Sequence, residues 1–160
     1  MRATRLTRLG KDLAIGTWLL SAALMAVGCH GPQAYLKGEN APLLTYERTM
    51  CFGSCPAFKL DIQADGHVYF NGRAHTKPLG KYRAQWPESD LQKLAQTAAN
   101  LRLDKKAGTY DNPMIMDLPS TRLRFGNHQV LDRIDGPDLK ELYVLLDSLI
   151  ATTTWSPEPR

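Results

Sequence analysis

The 160-residue sequence contains no H-E-x-x-H pair, no G-x-S-x-G segment and no glycine-rich phosphate loop. These absences remove, in turn, the usual helical frame for a catalytic zinc, the strained serine turn of the α/β-hydrolases and a backbone cradle for nucleotide phosphates. No apolar run reaches the roughly 20 residues that a membrane-spanning helix needs. The longest, residues 13–27, stops at 15. Charge of one sign is scarce as well. The chain carries 20 basic and 16 acidic residues, but residues 1–28 hold four of the former and one of the latter, leaving 16 against 15. So small an excess gives no argument for nucleic acid as a partner. Cysteine is limited to Cys29, Cys51 and Cys55.

The N-terminus has the layout of an export signal. Arg2, Arg5, Arg8 and Lys11 precede the apolar stretch 13–27, and Gly28-Cys29 closes it. A small residue before a cysteine at that point resembles the bacterial lipoprotein signal, in which the cysteine is acylated and becomes the new N-terminus. Ala26 stands where that signal most often has leucine. The resemblance implies a palmitate-bearing lipid anchor on Cys29 in the cell envelope, facing the periplasm or the exterior. Ordinary signal cleavage nearby, leaving Cys29 as a thiol, is the alternative. Acylation of Cys29 would leave Cys51 and Cys55 as an even pair in an oxidising space. His30, rather than aspartate, after the cysteine favours the outer membrane by analogy with other such lipoproteins.

The rest divides into a flexible tether over 29–42, rich in glycine, proline and polar residues, one domain over 43–155 and a disordered tail over 156–160. Within the domain, 43–48 reads as a strand. Phe58, Leu60 and Ile62 alternate with polar residues, as do Val68 and Phe70 after an Asp65-Gly66 turn. A three-residue loop with Gly66 left-handed would place Ile62 opposite Val68 and Leu60 opposite Phe70, keeping one face apolar. A further strand is expected over 77–84. A helix opened by Pro87 has Leu91, Leu94, Ala95, Ala98 and Leu101 as its stripe. Residues 102–118 read as a long loop. A second hairpin turns at Gly126-Asn127 with Leu123 facing Val130. Pro137 then opens a last helix with Leu139, Leu142, Leu146, Leu149 and Ile150 inward, and Trp155 is expected to fold back on the domain. This order predicts an α+β fold, an antiparallel sheet built from hairpins with two helices packed on one face.

The segment Met50-Cys-Phe-Gly-Ser-Cys-Pro56 is the chain's main chemical signal. Four extended steps span about 13 Å, and a disulfide needs α-carbons within about 7 Å, so a bond would require the segment to curl. Gly53 permits a curl and Pro56 ends it. A structural clamp, a thiol-exchange pair and a soft metal site all fit these residues. C-x-x-x-C-P resembles the copper-delivering thioredoxin-like proteins, which add a distant histidine. Met50 would supply a thioether for Cu(I), and His67, His75 or His128 an imidazole. Those proteins carry the motif between strand and helix, whereas here a hairpin follows it. No catalytic residues emerge. Ser54 has no local base, and Asp111 and Asp117 suit turns in the longest loop. Arg122 and Arg124 share one strand face.

Cys51-Phe52-Gly53-x-Cys55-Pro56 running into a strand, the Asp65-Gly66 turn and Asp117-Leu118-Pro119 together resemble an uncharacterised bacterial domain family of unknown function, often found behind lipoprotein signals. The likeness covers about 43–155. Trp86 departs from it, standing where a Ser or Thr helix cap is expected. It implies no activity and no cofactor. The reading that follows is a lipid-anchored, non-enzymatic envelope module with a Cys51–Cys55 disulfide. Its binding loop consists of Phe52, Gly53, Ser54, Pro56, Asp111 and Asp117, and its partner is an envelope protein or cell-wall component. The alternative is a redox or copper-handling protein using Cys51, Cys55 and Met50.

Overall fold

The period-two segments form the centre of an eight-stranded sheet in a computed structural model that describes residues 31–36, 42–115 and 117–159. Among these residues the elements run α1 (Gln33–Leu36), β1 (Leu44–Arg48), β2 (Ala57–Ile62), β3 (His67–Ala74), β4 (Gly80–Gln85), α2 (Glu88–Asn100), α3 (Leu103–Lys106), β5 (Gly108–Tyr110), β6 (Thr121–Phe125), β7 (His128–Asp132), α4 (Lys140–Thr152) and β8 (Ser156–Pro157). The sheet order is β5-β7-β6-β1-β2-β3-β4-β8. All pairings are antiparallel except β5 with β7. The class is α+β, with a mixed sheet in place of the purely antiparallel one expected.

Register follows the apolar pattern. Ile62 lies opposite Val68 and Leu60 opposite Phe70, with Gly66 at φ 85° closing the loop. Leu123 lies opposite Val130 across a turn whose first residue, Gly126, has φ 55°. β1 sits between the hairpins, Leu44 facing Ile62 and Phe125, Tyr46 facing Leu60 and Leu123. One face therefore carries Leu44, Tyr46, Phe58, Leu60, Ile62, Val68, Phe70, Leu123, Phe125 and Val130, all buried. They form one cluster with Leu91, Leu94, Ala95 and Ala98 of α2 and Leu142 and Leu146 of α4. Each large side chain so removed from water contributes about 2 kcal/mol.

Several boundaries differ from the sequence reading. β4 starts at Gly80 rather than residue 77, because Pro78 has no N–H for a strand ladder and sits in the preceding turn. Pro87 occupies the N-cap of α2, and α4 begins at Lys140, where Asp138 Oδ1 accepts the Lys140 N–H at 3.1 Å. The stretch 102–118, expected as loop, contains α3 and β5. Arg102 at φ 53° reverses the chain, Leu103 is buried, and the Tyr110 hydroxyl donates to the Lys106 carbonyl at 3.1 Å. Within the expected tether, α1 buries Tyr35 with its ring centroid 5.1 Å from Phe125. Within the expected tail, β8 pairs with Tyr82 and Arg83. Trp155 does fold back, its ring 5.1 Å from Phe70. Trp86 does not replace the missing cap, since α2 has no side-chain cap bond, and serves a different contact. It is buried at the start of α2 and donates from Nε1 to Thr153 Oγ1 at 2.8 Å, tying α2 to the end of α4.

The pairings also sort the connections by end. Arg48 lies opposite both Phe58 and Thr121, Thr121 opposite Asp132, and Ala57 opposite Ala74. The connections 49–56, 75–79, 111–120 and 133–139 therefore leave one end of the sheet. The Asp65-Gly66 and Gly126-Asn127 turns lie at the other end, beside Leu43 and α1. The N-terminal approach and the cysteine loop are separated by the length of β1, about 15 Å.

Candidate functional site

At the cysteine-loop end, Cys51 and Cys55 are bonded to each other with α-carbons 5.7 Å apart. The curl demanded by the spacing is present. The ring holds Phe52, Gly53 and Ser54 out in solvent, and Phe52 is 90 % exposed. Met50 before the ring and Pro56 after it are exposed as well. An aromatic side chain held almost wholly in water by a covalent clamp has no folding role there, since it removes no apolar surface from solvent.

The loop 111–120 is fastened beside this ring. The Thr49 N–H donates to the Ser120 carbonyl at 3.0 Å, and the Ser120 N–H donates to Thr49 Oγ1 at 2.8 Å. Within the loop, Asn112 Oδ1 accepts the Met114 N–H at 3.0 Å, a local turn that needs no partner elsewhere. Arg133 anchors it from β7's end, its Nε 3.4 Å from Asp111 Oδ1 and its Nη1 reaching the Ile115 carbonyl at 3.4 Å. Met114 (88 % exposed), Ile115 and Leu118 project outward. Asp117 is exposed, and Met116 lies outside the described residues. The expected contact residues Phe52, Gly53, Ser54, Pro56, Asp111 and Asp117 thus come from two connections at one end of the sheet. The exposed apolar residues Met50, Met114, Ile115 and Leu118 enlarge that set. Cys29 lies outside the described residues.

A polar cluster stands next to the ring and was not anticipated. Arg48, the last residue of β1, points to the apolar face, where its guanidinium lies 5.4 Å from the Tyr46 ring centre and 5.9 Å from that of Phe58. Its Nη2 donates to Asp147 Oδ2 of α4 at 2.7 Å, and the Tyr46 hydroxyl donates to Asp147 Oδ1 at 3.1 Å. Tyr143 stacks on Tyr46 with centroids 5.8 Å apart. Burial raises the pKa of both phenols, with Asp147 adding to the rise at Tyr46 and Asp132 at Tyr143. Burial also raises Asp132, opposed by a hydrogen bond from the Gly136 N–H. The only sequence signal was a charged residue on the inward-facing parity of β1. A tyrosine–arginine–aspartate set of this kind offers hydrogen bonds and charge but no activated nucleophile. Chemically it joins α4 to β1.

Among the described residues, the histidines do not gather at the cysteines. His67 sits at the opposite end, Nδ1 3.0 Å from Asp65 Oδ2, and His128 packs there on Tyr35 at 5.5 Å between centroids. Of the described histidines, only His75 belongs to a connection at the ring's end, in the turn between β3 and β4. Among the described residues no group of three or more His, Cys, Asp or Glu side chains could hold a metal ion. With their sulfurs bonded to each other, Cys51 and Cys55 offer no thiolates, so the copper alternative requires the reduced chain.

Residues 42–150, well over half of the chain, match the model of a family described as a domain of unknown function, DUF6438. No curated protein matches the chain.

Proposed function

The chain belongs to the DUF6438 domain family, and from that premise we propose that it is a non-enzymatic binding module of the cell envelope, anchored by lipid on Cys29 and contacting a partner protein through its cysteine-loop end. The observation that carries this reading is the double hydrogen bond between Thr49 and Ser120, which holds two loops with outward-facing Phe52, Met50, Met114 and Ile115 side by side. Exposed aromatic and methionine side chains on a rigid frame suit a protein interface, where such residues are enriched. The end-to-end layout supports the same reading. The N-terminal approach is at one end and the contact loops are at the other, so an anchor on Cys29 leaves the loops accessible. On this reading the domain faces the periplasm or the cell exterior, with the outer membrane favoured.

Two measurements test it. Labelled palmitate should enter the wild-type chain and be absent from Cys29→Ser; incorporation into the variant rules out that anchor. A photo-crosslinking residue placed at Phe52, used on intact cells, should yield one discrete protein adduct that disappears in a Met114→Asp background. Adducts that are diffuse, or unchanged by Met114→Asp, would sink the interface. Stoichiometric Cu(I) uptake by the reduced chain, abolished by Cys51→Ser, would move the assignment to the redox alternative.

A further inference from the structure

The solvent-facing side of the sheet has a composition that the whole chain does not. Register places Lys81 and Arg83 of β4, Arg73 of β3, Lys59 of β2 and Arg122 and Arg124 of β6 on that face, against two carboxylates, Glu47 of β1 and Asp61 of β2. The face thus carries an excess of four positive charges, whereas residues 29–160 together have 16 basic against 15 acidic. Positive charge is gathered here and negative charge lies elsewhere on the domain.

The two carboxylates are already engaged. Glu47 meets Arg73 Nη1 at 2.6 Å and Arg122 Nη1 at 3.5 Å, while Asp61 accepts from Lys59 Nζ at 2.7 Å and from Thr45 Oγ1 at 2.8 Å. Among the described residues, Arg124 donates only to neutral oxygens, the Pro42 carbonyl at 2.9 Å and Thr45 Oγ1 at 3.3 Å. Lys81 and Arg83 have no ion-pair partner among the described residues and are exposed. None of these side chains is buried.

We propose that this sheet face is a docking surface for acidic phospholipid headgroups. The cations are spread over five adjacent strands, about 20 Å across, a breadth that suits the many headgroups of a charged surface better than the single track of a narrow chain. Tyr69, exposed on the same face between Asp61 and Arg83, adds an amphipathic ring of the kind that settles at a membrane interface. Successive aromatic platforms that single-stranded nucleic acid would use are absent from the face among the described residues. With the sheet lying on the bilayer, the cysteine-loop end points along the membrane plane. The inference is independent of the lipid anchor and of the loop interface.

The test uses the chain from residue 29 onward with Cys29→Ser, which retains every described residue and has no acyl group. Sedimentation should find it on vesicles containing phosphatidylglycerol and not on pure phosphatidylcholine, with binding weakened by salt. Each basic residue near an anionic surface contributes about fivefold in partitioning, so Lys81→Gln with Arg83→Gln should lose about thirtyfold. Lys93→Gln with Lys105→Gln removes the same charge from α2 and α3 and should stay within about twofold. Thermal melts check that both pairs fold. Equal loss in the two pairs, equal binding to neutral vesicles, or binding to soluble polyphosphate with none to acidic vesicles would each overturn the proposal.

Discussion

Thr49 and Ser120, 71 residues apart, hold each other through both backbones, and their hydroxyls lie 3.2 Å from one another. Ser120 is the one buried polar residue among those described. Thr49→Val keeps the shape but removes the oxygen that accepts the Ser120 N–H. A buried donor without a partner costs about 1–3 kcal/mol. Urea unfolding should register that loss, and Thr49→Ser should restore most of it. A valine variant as stable as wild type would mean that the two loops are not tied here.

Closing a ring of this size removes about 2 kcal/mol of loop entropy from the unfolded chain. Cys51→Ser combined with Cys55→Ser should be less stable by about that amount in denaturant titration. Adding reductant should bring wild type down to the double variant and leave the variant unmoved. A thiol assay on the air-purified, denatured domain should find neither Cys51 nor Cys55 free.

Gly66 has φ 85°, accepts the Trp86 N–H at 2.9 Å, and has no room beside the Trp86 carbonyl oxygen for a Cβ. Gly66→Ala therefore combines left-handed strain with a backbone collision and should cost at least about 1 kcal/mol. The expected readout is a lower melting temperature with the disulfide intact. An unchanged melting temperature would contradict the tight approach of this turn to the start of α2.

Burial holds the Tyr46 and Tyr143 phenols above the ordinary value of 10.0. Because the folded state keeps these protons longer, their contribution is complete below pH 10 and falls as pH rises beyond it. Alkaline titration followed by circular dichroism should show unfolding that accompanies tyrosinate formation. Tyr46→Phe should cost about 1 kcal/mol at neutral pH, from the lost bond to Asp147, and flatten the alkaline decline. A variant with the same alkaline slope as wild type would assign that slope to other groups.

How much of this was legible in the sequence depended on the range of the interactions involved. Both hairpin registers could be read because alternation over Phe58–Ile62 and Leu123–Phe125 leaves one pairing that keeps a face apolar, and Gly66 and Gly126 mark the turns. The helical stripes carried the same kind of local signal. α3 and β5 are too short for any period to emerge, and each is held by one or two residues, Leu103 and Tyr110. Tyr35 looked like one aromatic in a stretch of Gly and Pro, and its dock on Phe125 depends on a strand 90 positions away. Candidate contact loops were identifiable as loops. Their placement at one end, and the Arg48–Asp147 pair across 99 positions, come from topology that no local pattern encodes.

The two borders of the sheet are finished with short pieces. On one, β8 covers Tyr82 and Arg83 with a strand that includes Pro157, whose nitrogen has no hydrogen to donate, and Pro159 follows. On the other, β5 is three residues long and begins at Gly108. Among the described residues, neither rim presents the long row of unpaired amides that recruits strands from other molecules. Many copies can therefore crowd side by side and remain separate, without zipping into fibrils.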